Sequence, residues 1–388
     1  MILVDWVDNG TVGPPTIDNP LSSRSAGKAI PRSEQLSMAS TSRMRNPTRV
    51  TALPERVGCP SASARTVRFS HRYNHESMAE RTDRSLAFKA ALFAVLAAAS
   101  LFALAACGSG SGSEQASGAS FEAATSIADA TFDAGSAISG NGAAIDVSHT
   151  SDGYVAVSAE ATSRLKFQIT SGQASYNYDL PQDGSAIVCP LSFGDGPYTF
   201  RVMQNTSGSN YVELFSTAAD VTLNSEFEPF LHPNVYCNYS ESSTCVAKAR
   251  ELVANAANQG EAVRAICEYV VDNVKYDDDK AAQLKDSSGY VPNPDDTLSS
   301  GTGICFDYAS LGAAMLRSQG IPAKIVTGYV SPNGIYHAWI MVHIDGTWKS
   351  ARFSVVPNTW SRVDLTFAAS SDGGNVGDGK DYTDRFVY

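Results

Sequence analysis

No two cysteines in this 388-residue chain are separated by two residues, so the ligand spacing of a zinc knuckle is absent. No acidic run combines alternating oxygen ligands with a glycine either. Asp277-Asp278-Asp279 and Asp295-Asp296 lack the pattern of a calcium loop and read as solvated surface. Neither a metal nor any other cofactor is expected. Basic charge is also scarce: 29 Lys and Arg face 40 Asp and Glu, a net charge of −11. The deficit concentrates beyond residue 106, where 16 basic residues face 32 acidic ones. Such a body repels nucleic acid instead of releasing counterions from it, so no nucleic-acid partner is expected. Repeats of 20 to 50 residues are absent, which removes solenoids and propellers. What is present, 43% hydrophobic residues over this length, excludes a fibrous or wholly disordered chain and allows one large or two to three ordinary domains.

Long apolar runs are also missing, with one exception. Ala90 to Ala106 follows Arg81, Arg84 and Lys89 and ends in Leu104-Ala105-Ala106-Cys107. This is a basic region, an apolar region and a small-residue cleavage site, too short and alanine-rich for a comfortable permanent span. It resembles a bacterial lipoprotein signal peptide, which implies that Cys107 is lipidated and becomes the mature N-terminus. An uncleaved signal anchor is the alternative, and both export the remainder. Residues 1–77, rich in Ser, Arg and Pro, read as a mis-called start or a disordered extension, with Met78 opening the signal peptide at 78–106. Cys59 then has no role. Residues 107–142, opening on Gly108-Ser109-Gly110-Ser111-Gly112-Ser113, read as a flexible tether.

The body divides in two. From 143 to 228, short alternating runs such as Tyr154-Val155-Ala156-Val157, Leu165-Lys166-Phe167-Gln168-Ile169 and Tyr198-Thr199-Phe200-Arg201-Val202 are punctuated by Gly, Asp, Asn and Ser. They predict an all-β, sandwich-like module. From 229 to 388 the pattern is mixed, giving an α+β class overall. Helices are predicted over 246–258, 261–274 and 305–319, the last ended by Gly320 and Pro322 and capped by Ser300 or Thr302. Strands are predicted near 324–330, 336–344, 348–353, 359–365 and 384–388.

Chemistry enters at Cys305. A cysteine in the first turn of a helix gains thiolate character from unsatisfied amides and the positive end of the helix dipole. Gly301-Thr302-Gly303-Ile304 precedes it, Gly303 allowing backbone to approach a bound carbonyl and the Cys305 amide serving an oxyanion. An imidazole must lie within reach, and that imidazole needs an acceptor. His337, beside Trp339, and Asp364 supply them at intervals of 32 and 27 residues. Tyr290, upstream of the nucleophile, is an oxyanion or groove candidate.

The stretches Gly303-Ile304-Cys305-Phe306-Asp307-Tyr308-Ala309, Gly320-Ile321-Pro322-Ala323, His337-Ala338-Trp339 and Asp345-Gly346-Thr347-Trp348 resemble the bacterial transglutaminase-like superfamily. The resemblance covers roughly 230–388. It implies a papain-like fold, a helix-borne cysteine packed on an antiparallel sheet, and a Cys, His, Asp triad in that order. In relatives an Asp follows the Gly-x-Trp tryptophan by four residues; from Trp348 that position is Arg352, which cannot accept a proton. Trp360-Ser361-Arg362-Val363-Asp364 repeats the spacing, so Asp364 takes the third place. Trp339, Trp348 and Trp360 read as core and groove walls, and His149, His232 and His343 as structural. Cys237 and Cys245 suit a local disulfide or an unpaired surface reading, while Cys189 and Cys267 read as buried.

The expected protein is a lipid-anchored cell-surface enzyme acting on protein or peptide amides in the cell envelope. Amidase, peptidase and amine cross-linker all remain open. The alternative is a non-catalytic binding or scaffolding lipoprotein with a vestigial transglutaminase-like fold.

Overall fold

The computed structural model describes residues 115–285, 287–331, 334–370 and 381–388. Cys59, residues 78–106, read above as a signal peptide, and Cys107 lie outside them. Among the described residues no helix is long and apolar enough to cross a membrane.

A short strand, β1 (Gln115–Ser117), precedes two four-stranded antiparallel sheets. The first has the order β2-β3-β4-β7, from β2 (Ile138–Gly140), β3 (Ala143–Asp146), β4 (Tyr154–Ala159) and β7 (Ile187–Pro190). The second has the order β6-β5-β8-β9, from β5 (Leu165–Ser171), β6 (Ala174–Leu180), β8 (Gly196–Ser207) and β9 (Asn210–Val221). Side chains alternate across each strand, so Leu165, Phe167 and Ile169 bury together and meet Phe200 and Val202 in the core. The antiparallel all-β character expected of this stretch is present, with β2, β6 and β7 beyond the strands its alternation marked. In β6, tyrosines alternate with Ser, Asn and Asp. Tyr176 and Tyr178 pack on Phe386 and Tyr388 of the C-terminal segment.

The C-terminal half contains α1 (Thr244–Val253), α2 (Gln259–Asn273), β10 (Lys275–Tyr276), α3 (Asp278–Leu284), α4 (Pro294–Ser300), β11 (Thr302–Gly303) and α5 (Cys305–Arg317). Then come β12 (Ala323–Val330), β13 (Ile335–Val342), β14 (Thr347–Lys349), β15 (Ser354–Val355), β16 (Ser361–Val363), α6 (Leu365–Ser370) and β17 (Tyr382–Val387). The sheet β16-β13-β12-β17 is antiparallel. Every residue of α5 is buried, and Leu311, Ala314 and Met315 share the main core with Ile325, Ala338 and Ile340. A smaller apolar cluster, Val326, Val330 and Trp339 with Phe367 and Tyr382 against it, forms separately. Arg317, almost wholly buried, binds the carbonyls of Ala323, His232 and Tyr388, tying the helix end to three segments.

Several expectations change. The break between the first two helices falls at 254–258, because Asn258 caps α2 by accepting from the Glu261 amide, so Gln259 and Gly260 belong to the helix. The acidic pairs are caps as well as surface. Asp277 accepts from Lys280 N at the start of α3, and Asp295 accepts from the Thr244 and Cys245 amides at the start of α1. Burial opposes the charge of Asp295, but these bonds outweigh it and hold its carboxyl below the ordinary range. Cys237 and Cys245 are both free and both buried, neither disulfide-linked nor on the surface. Burial pushes the Cys237 thiol up to about 11 and Cys245 higher still. The expected tether is a bound strap from Gln115 onward. There β1 pairs with β14, and the Ala119 amide donates to Asp345. The approach is close: a Cβ at Gly346 would lie 1.8 Å from the Ser117 carbonyl oxygen.

Candidate active site

The nucleophile's position is set by its own helix start. Ile304, extended at ψ 174°, is the N-cap, so Cys305 opens the first turn of α5. Asp307, two residues on and fully buried, turns back and accepts the Ile304 amide on Oδ2 at 2.8 Å. The same oxygen accepts Lys280 Nζ at 2.7 Å, and Oδ1 accepts the Tyr290 hydroxyl. Lys280 also lies 4.8 Å from the Tyr290 ring centre. Tyr290 thus has a different task from the oxyanion role expected of it, since its hydroxyl is committed to the carboxylate that organises the helix start. Gly303 is also explained differently: a Cβ there would come within 2.6 Å of Asp307 Cβ, so the glycine makes room for this carboxylate.

His337 comes from β13, opposite Gly328 of β12. Its Nε2 lies 2.7 Å from Asp364 Oδ2, and both residues are essentially without exposure. Asp364 follows β16 and caps α6, its Oδ1 accepting the Phe367 amide at 3.0 Å. One carboxylate therefore orients the imidazole and starts a helix. Arg352, the residue at the alternative spacing, instead points its guanidinium at Asp272 on α2. Burial opposes the imidazolium, but Asp364 and then Cys305 outweigh it and raise His337 to about 10. Nδ1 is buried, and Cys305 is among the neighbours that favour the protonated ring. The imidazole is packed from one side by Phe367, parallel at 4.4 Å, and neighbours Trp339 at 6.1 Å. Trp339 is itself buried, in the smaller apolar cluster. Among the described residues no three His, Cys, Asp or Glu gather as metal ligands.

Sequence reasoning gave no role to Tyr276, Lys280, Asp307, Phe367 or Tyr382. Tyr276 is brought beside the nucleophile because β10 pairs in parallel with β11, setting Tyr276 opposite Gly303. Its hydroxyl is buried and unpartnered, and its pKa is raised by burial and then by the charge of Cys305. A free donor at this place fits an oxyanion developing on a carbonyl attacked by Cys305. If the site performs acyl transfer, Tyr276→Phe is expected to slow acyl-enzyme formation roughly 100- to 1,000-fold with the melting temperature unchanged, as measured by stopped-flow and thermal unfolding.

Residues 246–364 match the family model of the transglutaminase-like superfamily. An uncharacterised protein of Mycobacterium leprae is 27% identical over 168 residues, covering 41% of this chain and 53% of its own. A protein of Methanocaldococcus jannaschii is 28% identical over 149 residues, covering 36% and 40%. The chain thus spans about half the length, or less, of these relatives. A solved cysteine-protease candidate from Cytophaga hutchinsonii is 17% identical, covering 61% of this chain and 87% of that one, at a TM-score of 0.29. The helix-borne cysteine, the antiparallel sheet behind it and the matched segment together identify a transglutaminase-like superfamily domain within this chain.

Proposed function

We propose that the chain is a thiol acyl-transfer enzyme acting on protein or peptide amides. The observation that carries this reading is the imidazole of His337, bonded to Asp364 through one nitrogen and raised in pKa by that carboxylate and by Cys305. In this mechanism the Cys305 thiolate attacks the amide carbonyl and forms a carbon–sulfur bond. The His337 imidazolium gives its proton to the leaving amine as the carbon–nitrogen bond breaks. The thioester is then discharged by water, returning an acid, or by an amine, returning a new amide. A glutaminyl peptide offered with a labelled amine separates the two: label in the product marks transfer, and unlabelled acid marks hydrolysis.

The site belongs, in this proposal, to an exported protein held by lipid at Cys107. Support comes from the basic, apolar and small-residue segments before that cysteine.

A second reading, a non-catalytic scaffold, draws on one observation: Cys305 and His337 are fully buried. Alkylation decides between them. His337 has its pKa raised above the ordinary 6.5, so the imidazolium persists through neutral pH and is lost as pH rises through about 10. Iodoacetate, being an anion, is drawn by that imidazolium. Carboxymethylation of Cys305, followed by mass spectrometry, is therefore expected to hold a plateau across neutral pH and to fall in the alkaline range. A thiol that stays unreactive throughout would support the scaffold.

A further inference from the structure

The Asp364 carboxylate receives a third donor that the triad does not require. Besides His337 Nε2 on Oδ2 and the Phe367 amide on Oδ1, the Tyr382 hydroxyl donates to Oδ2 at 2.8 Å. Tyr382 opens β17, where its pairing with Val330 of β12 sets its place along the sheet. Its ring meets Trp339 edge-on at 4.9 Å, and the Arg362 guanidinium of β16 lies 3.9 Å from the ring centre. Strands β13, β16 and β17 of one sheet thus place one phenol against the carboxylate bonded to the His337 imidazole.

We infer that Tyr382 is a positioning residue of the triad: its hydroxyl shares the charge on Asp364 Oδ2, fixes the carboxylate's orientation and moderates its pull on the His337 imidazolium. Arg362, lying over the phenol ring, polarises that hydroxyl as a donor. Burial and the adjacent Asp364 keep the phenol protonated, so it donates at all working pH values. The role rests on the acyl-transfer reading. The titratable and charged groups facing the imidazole are Cys305 from α5 and Asp364 ahead of α6, with Tyr382 of β17 and Arg362 of β16 behind Asp364. On β12, Gly328 stands opposite His337, and α6 covers the ring with Phe367.

The sign of the effect follows. Without the hydroxyl, more of the Asp364 charge falls on His337, and the imidazolium survives to higher pH. In the full-length protein, Tyr382→Phe is expected to move the alkaline limb of Cys305 carboxymethylation upward by about half a pH unit or more. Arg362→Met, which keeps the hydroxyl, is expected to move it in the same direction by less, and it decides the matter should Tyr382→Phe not fold. A purely structural contact would lower the melting temperature and leave the limb in place. His337→Asn separates the levels of failure. If wild type and His337→Asn give the same profile, the acyl-transfer reading falls and this role with it. If wild type shows the limb and neither variant at Tyr382 or Arg362 shifts it, only the role of Tyr382 is overturned.

Discussion

Cys305→Ala is expected to abolish acyl transfer, lowering turnover on the order of 10⁶-fold, while the protein stays folded. The expectation comes from division of labour. In the proposed mechanism His337 and Asp364 handle the proton, but only the sulfur forms the covalent bond, and neither partner replaces it. Among the described residues the other cysteines, Cys189, Cys237, Cys245 and Cys267, are all buried. Burial pushes each of these thiols up, Cys237 to about 11 and the others further, which makes them poor substitutes. The fold should survive because alanine is a good helix former and the change removes a single buried sulfur. Intact-mass analysis of enzyme quenched during turnover makes the check. Wild type should carry a mass increment on the peptide containing Cys305, and Cys305→Ala should carry none. Persistence of turnover in the variant would remove Cys305 from the mechanism.

The largest expected loss of stability lies at the ion pair on Asp307, two residues beyond Cys305. Lys280→Met leaves Asp307 as a fully buried carboxylate without its cation, and it is expected to cost about 3 kcal/mol. In a domain of this size the melting temperature should fall by roughly 6–12 °C. The Tyr290 hydroxyl and the Ile304 amide still bond Asp307 in the variant, but neither brings a charge. The double variant Lys280→Met with Asp307→Asn tests the cause. Removing the stranded charge should recover part of the loss, giving a coupling energy in a double-mutant cycle. Additive losses would show that Lys280 acts through its packing on Tyr290 instead. The carboxylate also holds the N-cap from which Cys305 projects, so the single variant should lose acyl transfer before it loses secondary structure.

The helix of Cys305 was legible in the sequence because its signals are local. Glycine at 303, an apolar helical face, Gly320 with its left-handed φ of 72° and Pro322 all act within a few residues of the helix. The strands of Ala323–Val330 and Ile335–Val342 were legible for the same reason. Short elements were not. Helices of six or seven residues, such as those at Asp278–Leu284, Pro294–Ser300 and Leu365–Ser370, complete too few turns to print a period. Their starts depend on single caps such as Asn293 and Asp364. The strap from Gln115 also left no trace, because a stretch of Ser, Ala and Gly carries no amphipathic face. It is held by backbone groups reaching Asp345 and Gln319, more than 190 residues away.

By itself the sequence determined where the candidate residues lie: a cysteine at a helix start by local rules, and a histidine on a strand and an aspartate after one by resemblance to the superfamily. Tertiary structure decided which neighbours tune them. Tyr276 reaches the nucleophile through a parallel pairing, Tyr290 and Lys280 reach it through Asp307, and Tyr382 reaches Asp364 from the last strand. None of these contacts follows from spacing along the chain. A hydrogen bond or buried ion pair depends on positions set by the packing of distant segments, and a sequence period reports only which face of an element turns inward.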